Sequence, residues 1–209
     1  IFDPYTYDPI LNQFRLTSGG ADKVVGMSPM LQDRLVVLCR GSVHLIDGIS
    51  GSLDDTVQTE ITREIGCVAR KTIKEIGSTV MWLSDQGVYT ISYGDELNLR
   101  ANAVPISEPI ENYIRLINWE YAEDSVAVYN DDRYYLAVPL GSSKVNNAVF
   151  VYNFLNQGWE SVDTYPAEMD IFDLVIAPKD GVNQVFIMSR GGALHLHSNK
   201  NGQDEYEVY

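Results

Sequence analysis

The sequence predicts an all-β fold of repeated strand hairpins, a β-propeller or part of one, with one short helix. Residues 34–47, 79–92 and 184–197 overlay without a gap, and each copy contains a strand, a polar turn with Gly and a return strand. A looser fourth copy begins at residues 132–139 and returns at 148–153 after an insertion. Equivalent apolar positions lie 45, 53 and 52 residues apart, the period of four-stranded blades, at Leu38, Leu83, Leu136 and Met188.

The apolar strands also predict how these copies pack. Because a unit with strands this apolar cannot bury both of its faces alone, consecutive units must stack around an axis, as propeller blades do. We therefore expect a single domain over residues 1–209, a fragment of a larger chain. Its blade-like units are predicted at about residues 24–60, 61–105, 119–165 and 166–209.

Local signals assign the segments between the copies. Ser107 as a cap, Pro109 in the first turn and isoleucines at helical spacing predict a short helix over about 108–116. The adjacent Asp131 and Asp132, between two β-rich runs, predict a hairpin turn.

The two ends of the chain have their own patterns. The aromatic and Pro-rich residues 1–14 predict an extended segment, since Pro disfavours both a helix and a central strand. Polar residues 199–204 predict a turn before a final strand at 205–209.

Composition and charge exclude several classes of protein. The chain has 15 Lys and Arg against 29 Asp and Glu, a net charge of −14, which argues against a surface that binds nucleic acid by neutralising phosphates. No run of 18 apolar residues is present, so we expect no membrane span. Two cysteines, Cys39 and Cys67, provide neither a disulfide framework nor a metal-binding spacing.

Histidines and acidic pairs are the candidate metal ligands. His195 and His197 alternate on a predicted strand and would share one face, as two ligands of a metal would, but no third ligand stands at a matching spacing. Adjacent acids in predicted loops indicate either solvated turns or a calcium ligand cluster, and these pairs are Asp54 and Asp55, Glu123 and Asp124, and Asp131 and Asp132.

One turn comes close to a known propeller motif. Ser84, Asp85, Gly87 and Thr90 approach the Asp-box of sialidase-type propellers, although the spacing differs and no Trp follows Thr90. An Asp in such a turn most often forms local hydrogen bonds, so we expect Asp85 to be structural. A glycosidase would need two carboxylates facing each other across a pocket, and the abundance of acids alone does not identify such a pair.

Aromatic residues leave one binding function open. The chain has 13 Tyr and three Trp, and sugar faces stack on such rings, so a carbohydrate-binding face is a possible alternative function. Trp82, however, aligns with apolar strand positions and is predicted to lie in the core, leaving Trp119 and Trp159. We assign no catalytic, cofactor-binding or metal-binding residue, and we expect a protein that is not an enzyme and needs no cofactor.

The order of motifs resembles that of a known family. The motifs are Ile65, Gly66 and Cys67, then Leu83, Ser84, Gly87, Val88 and Tyr89, then residues 107–110, and finally residues 134–139 and 151–153 with Trp159. From about residue 24 to residue 163 this order is similar to the propeller portion of tail proteins of short-tailed bacteriophages (podoviruses). These are the tail nozzle or tail tubular proteins, which are related to head-to-tail stabilisation proteins.

The resemblance implies a structural component of the virion. Such a protein is a subunit of a homo-oligomeric ring, commonly a hexamer, that extends the tail, conducts genomic DNA outwards without specific binding, and contacts adaptor and fibre proteins. It is made in the host cytoplasm and acts in the phage tail during DNA ejection, and the resemblance implies no catalytic residues. The alternative remains a carbohydrate-binding propeller for host receptor recognition.

Overall fold

The structure is a computed structural model that describes residues 16, 22–31, 33–49, 55–92 and 104–197. Within these ranges the strands form four antiparallel sheets that follow one another along the chain. We call them blades 1 to 4. The sequence-predicted ends of the chain, residues 1–14 and 199–209, lie outside the described residues.

The blades have simple up-and-down topology. Blade 1 contains β1 (Val24–Met30), β2 (Arg34–Cys39), β3 (Val43–Asp47) and β4 (Val57–Thr62). Blade 2 contains β5 (Lys74–Ile76), β6 (Thr79–Ser84) and β7 (Gly87–Ser92). Blade 3 contains β8 (Val126–Asn130), β9 (Arg133–Val138), β10 (Ala148–Asn153) and β11 (Gly158–Thr164). Blade 4 contains β12 (Ile171–Lys179), β13 (Val182–Ser189) and β14 (Leu194–Leu196).

Consecutive blades pack face to face through three apolar seams, by which we mean the interfaces between neighbouring blades. The first seam buries Leu38, Val43, Trp82 and Ile91. The second buries Leu83, Val88, Leu136 and Phe150, and the third buries Val149, Val151, Leu174 and Ile187. Since alternate residues of a strand point to opposite faces, Trp82 faces blade 1 while Leu83 faces blade 3. The all-β, partial β-propeller fold predicted from the sequence is confirmed.

The hairpin turn of blade 3 is also as predicted. Asp131 and Asp132 have φ values of +48° and +56°. Two successive residues with positive φ form the tight turn whose twist matches that of the flanking strands β8 and β9. Asp tolerates this conformation better than most residues.

The short helix is confirmed in place but differs in form. Within the predicted range 108–116, Glu108–Ile110 is a 3-10 turn and only α1 (Glu111–Ile114) is α-helical. The predicted cap at Ser107 is wrong, since its hydroxyl makes no capping bond and instead accepts a hydrogen bond from the Val88 N–H at 3.0 Å. The side chain therefore fastens the helical turn to blade 2 rather than stabilising the helix itself.

The return strand of the last copy is shifted by one residue from the predicted overlay. In blades 1 and 2 the pairing follows the overlay. In blade 4, Leu194 rather than Ala193 pairs with Met188. The additional residue lies in the turn, where Gly192 has a φ of +89°. The gap-free alignment of residues 184–197 is wrong beyond this turn, because a glycine-containing turn accepts one more residue without disturbing the first strand.

Two strands have patterns too weak to predict. Strand β4 is half exposed and largely polar, and β5 has only three residues.

A 3-10 turn precedes the first strand of blades 2, 3 and 4. These turns are Arg70–Thr72, Ala122–Asp124 and Ala167–Met169, respectively. None of the helical turns in the described ranges has the length and hydropathy needed to cross a bilayer.

Candidate functional site

The connections between blades and the central hairpin turns lie together on one face, which we call the loop face. Backbone hydrogen bonds tie the residue that precedes a blade to that blade's central turn. The Arg40 N–H donates to the Lys23 carbonyl at 2.9 Å in blade 1, and the Arg190 N–H donates to the Asp170 carbonyl at 3.0 Å in blade 4. These equivalent bonds place basic side chains of distant sequence position on one surface.

The loop face contains a groove of about 470 Å³. The residues that line it come from blade 1, from the connection before blade 2 and from the connection before blade 3. They are Lys23, Val24, Val25, Arg40, Val68, Arg70, Trp119, Glu120, Glu123 and Asp124. Its volume falls in the range of about 300–1,000 Å³ that is typical of small-ligand pockets.

A smaller groove of about 170 Å³ adjoins it and shares Arg70, Glu123 and Asp124. Here the exposed ring of Phe172 lies close to two cations. The Lys71 Nζ is 4.8 Å from the ring centroid and the Arg190 guanidinium is 5.0 Å from it. Both cations are also held by carboxylates, Lys71 by Asp173 at 2.8 Å and Arg190 by Asp170 at 3.0 Å. These cations are therefore engaged within the protein.

Asn146 joins the loops of blades 3 and 4 beneath the smaller groove. It is 3% exposed, and its Nδ2 donates to the carbonyl oxygens of Asp124 at 2.8 Å and Ile171 at 3.0 Å. Two bonds from one amide fix the two connections relative to each other. The acidic residues at positions 123 and 124 are thus held on a rigid base.

A cluster of Ser, His and Asp residues lies at the turn of blade 1. The Ser42 Oγ is 2.6 Å from the Asp22 Oδ2 and 2.9 Å from the His44 Nε2, and Asp22 also accepts from the Gly41 N–H at 3.0 Å. Since the single Ser42 proton is donated to the carboxylate, His44 donates its Nε2 proton to Ser42. In a nucleophilic pair the histidine accepts the serine proton, so this network acts as a clamp on the turn.

The second histidine cluster fastens blade 3 to blade 4. The buried His197 has its Nδ1 2.8 Å from the Tyr165 hydroxyl and its Nε2 3.7 Å from the Asp163 Oδ2, and its ring meets that of Tyr135 edge to face at 5.3 Å. The His195 Nδ1 is buried without a hydrogen-bond partner in the described part of the chain. Among the described residues no group of three His, Cys, Asp or Glu is arranged to hold a metal.

The candidate acids of the hairpin turns form local contacts. Asp85 accepts a hydrogen bond from the Ser84 hydroxyl at 3.2 Å. Asp132 accepts from the Tyr129 hydroxyl at 3.0 Å, and Asp131 lies 3.4 Å from the Arg133 guanidinium. These distances describe turns that are tied to their own flanking strands. Of the other pairs, Asp54 lies outside the described residues, whereas Glu123 and Asp124 line both grooves.

The three tryptophans lie in different environments. Trp82 is fully buried and its indole N–H donates to the Gly66 carbonyl at 3.0 Å, which confirms its predicted place in the core. Trp159 donates to the Ile106 carbonyl at 2.9 Å and packs on blade 3. Of the three, Trp119 lines the larger groove, and the carbohydrate-binding face stays a prediction.

Both cysteines are free thiols in the core. Burial raises the pKa of Cys67 to about 12, and burial likewise raises the pKa of Cys39. A thiol that stays protonated is a poor nucleophile and a poor metal ligand. The two side chains therefore contribute to packing.

The larger groove combines residues that no sequence motif connects, and sequence reasoning missed it. Its cationic residues are single Lys and Arg positions at the ends of strands, and only the adjacent pair Glu123 and Asp124 stood out in the sequence. The Ser42 cluster was equally invisible, because Asp22 precedes it by 20 residues. No local pattern links positions that only the blade topology brings together.

Fold and site together define a partial β-propeller with a charged loop face. No protein-family model matches the chain, and no curated protein matches it. Among solved structures, the chain is similar to PorZ, a surface component of the type-IX secretion system of Porphyromonas gingivalis (TM-score 0.53, 9% identity), and to the dihydro-heme d1 dehydrogenase NirN (TM-score 0.54, 12% identity). Each match covers 90% of this chain but only 22% of PorZ and 37% of NirN.

A third similar structure is the WD40 domain of Neurospora crassa Pan2, with a TM-score of 0.49, 10% identity, and coverage of 91% of this chain and 51% of that one. At these identities the similarity concerns the fold. The similar structures include both a dehydrogenase and a secretion component, so the fold alone does not decide whether this chain is an enzyme.

Proposed function

We propose that this chain is a structural, non-enzymatic component of the tail of a short-tailed bacteriophage, in the nozzle or tail tube. There it forms part of a homo-oligomeric ring, sixfold in the resembling family, that conducts genomic DNA and supports fibre attachment. The observation that carries the proposal is the location of the motifs on which the resemblance rests. Several of them lie at the joints between consecutive blades, and the others lie in strands of blades 2 and 3.

The first motif closes the joint between blades 1 and 2. The Cys67 N–H donates to the Cys39 carbonyl at 2.8 Å, and the carbonyl of the preceding Gly66 accepts from the Trp82 indole at 3.0 Å. One short segment thus contacts the central strands of both blades. Residues used in this way hold neighbouring blades together, as a structural subunit requires. The proposal assigns them no catalytic role.

A second motif closes the joint that leads to blade 3. Gly87 has a φ of +133°, and a β-carbon there would lie 2.5 Å from the Ser107 Oγ. The glycine therefore allows the segment before α1 to approach the turn of blade 2. Trp159 completes this joint, since its indole reaches back to the Ile106 carbonyl.

The charge balance supports a conduit that does not bind DNA. With 29 acidic and 15 basic residues the chain repels phosphates on average. We expect no shift of duplex DNA in a gel-shift assay at physiological salt. Tight binding in that assay would contradict the passive-conduit part of the proposal.

Cryo-electron microscopy and mass spectrometry of purified particles test the proposal as a whole. We expect peptides of this chain in the particle and blade density repeated around the tail axis. The absence of the chain from intact particles, or its location away from the tail, would overturn the proposal. Turnover of any substrate in a panel of aryl glycosides would overturn its non-enzymatic part.

A further inference from the structure

The walls of the larger groove carry opposite charges. The cationic wall comes from blade 1 and the connection before blade 2, and it consists of Lys23, Arg40 and Arg70. The acidic wall comes from the single connection before blade 3, and it consists of Glu120, Glu123 and Asp124. The groove is therefore lined by three basic and three acidic residues that come from different parts of the chain.

All six of these charged side chains are exposed. In the part of the chain that the structure describes, none of them takes part in an ion pair or in a side-chain hydrogen bond. Charged side chains elsewhere do pair, for example Arg34 with Asp47 at 2.5 Å and Arg133 with Glu160 at 2.7 Å. Six charged side chains without such a partner, three of each sign, thus line one groove of about 470 Å³.

The backbones of both walls are anchored by hydrogen bonds. On the cationic side the Arg40 N–H is bonded to the Lys23 carbonyl at 2.9 Å. On the acidic side the buried amide of Asn146 holds the Asp124 carbonyl at 2.8 Å. The walls therefore offer a preformed pair of charged surfaces rather than a salt bridge that a ligand must first break.

The groove also has an apolar surface between its walls. Val24 is 42% exposed, and the half-buried Trp119 packs against the second seam while lining the groove. Val25 and Val68 line it as well. A ligand that fits all three parts carries a negative group, a positive group and an apolar body.

We propose that this groove binds a small zwitterion, a free amino acid or a short peptide. Its carboxylate lies at the cationic wall near Arg70, its ammonium group at the acidic wall near Glu123, and its apolar side chain on Trp119. A simple anion or a simple cation would leave one wall without a partner, and complementary charges on both sides give orientation and specificity. This inference is independent of the proposed role in a phage tail.

The ligand class can be tested with four probes on the purified chain. They are L-phenylalanine, the dipeptide Gly-Phe, N-acetyl-phenylalanine, which lacks the ammonium group, and phenylalanine amide, which lacks the carboxylate. Calorimetric titration and tryptophan fluorescence should detect binding of the first two, and each capped form should bind at least about tenfold more weakly because one charge-assisted contact is lost. Comparing the affinities of L-phenylalanine and Gly-Phe decides whether the ligand is a free amino acid or a short peptide. The proposal would be overturned if neither zwitterion bound detectably at millimolar concentration, or if the capped forms bound as tightly as the zwitterions.

Neutralising each wall in turn tests the location of the site. R70Q and E123Q should each weaken the binding of L-phenylalanine about tenfold or more, and W119F should remove the fluorescence change. The matched controls R115Q and E111Q neutralise an exposed pair outside the groove, formed by the first residue of α1 and the residue that follows α1, and should leave affinity unchanged. If R70Q fails to fold, E123Q, which alters one exposed side chain, decides the matter. Unchanged affinity in E123Q would refute the site.

Discussion

A β-carbon on Gly66 would overlap the carbonyl oxygen of Arg40. The connection that follows blade 1 therefore passes directly against the central turn of that blade. Only a residue without a side chain fits there, because the atoms in the way belong to the backbone and cannot rotate aside. The requirement is steric and does not depend on the φ angle.

We expect Gly66→Ala to destabilise the protein by about 1–3 kcal/mol or more, the usual cost of overpacking. The measurement is the midpoint of urea unfolding. Gly158→Ala is a matched control, since the nearest atom to a β-carbon there is the Asn156 carbonyl at 3.8 Å. Equal midpoints for the two variants would contradict the steric account.

The bond from the Val88 N–H to the Ser107 hydroxyl gives a second prediction. Ser107 is 1% exposed, so Ser107→Ala leaves a buried donor without its partner. Such a loss costs about 1–3 kcal/mol of unfolding free energy. Chemical denaturation followed by tryptophan fluorescence measures it, with the exposed Ser142→Ala as control. A loss no larger than in the control would show that the bond contributes little.

The carboxylate of Asp22 accepts from two donors, the Gly41 N–H and the Ser42 hydroxyl. Asp22→Asn keeps the shape but replaces one accepting oxygen by an NH₂ group, which faces a donor. We expect a loss of about 1–2 kcal/mol in unfolding free energy. Glu168→Gln makes the same carboxylate-to-amide change on an exposed side chain and should be close to neutral. A thermal melt that does not separate these variants would contradict the clamp.

Burial of both cysteines predicts their reactivity. Since burial raises the pKa of Cys67 to about 12 and also raises that of Cys39, the thiolate is scarce at mildly alkaline pH. Iodoacetamide should leave the native protein unmodified, and both thiols should be alkylated in denaturant. Mass spectrometry counts the adducts. Rapid alkylation of either thiol under native conditions would show that the core around it opens readily.

The carboxylate of Glu160 makes part of the free energy of unfolding depend on pH. Hydrogen bonding from Arg133, and secondly from Asn153, lowers its pKa below the ordinary value of 4.5. A lowered folded-state pKa means that the stabilisation is fully present above pH 4.5 and is lost as the pH falls through the lower folded value. Glu160→Gln should therefore cost roughly 0.5–1 kcal/mol near neutral pH and less in acid. If the difference in unfolding free energy between the wild-type protein and Glu160→Gln grew as the pH fell, the predicted direction would be wrong.

The repeats were readable in the sequence because both faces of these strands are buried. Val80 and Met81 are adjacent, yet one faces blade 1 and the other faces blade 3, so apolar residues follow one another without alternation. Gly and Asp then mark the turns. Strand β4 could not be recognised in this way, since its outward residues are polar and it pairs on one side only.

Side-chain contacts between distant segments were not readable. Ser107 suggested a helix cap from its position before Pro109, but the nearby Val88 N–H competes for the same hydroxyl. The turn after β13 suggested the same length as in blades 1 and 2, but Gly192 allowed one more residue. In both cases local rules permitted two outcomes, and packing selected one of them.

The sequence by itself determined most of the strands, the order of the blades and the positions of most turns, because these depend on apolar periodicity and on residues that tolerate positive φ. Only the tertiary structure decided which charged residues face each other. Arg40, Arg70 and Glu123 are far apart along the chain and meet across one groove because stacking places the connections of successive blades on a common face. Electrostatic complementarity depends on distance in space, and no local pattern in this chain links these three residues.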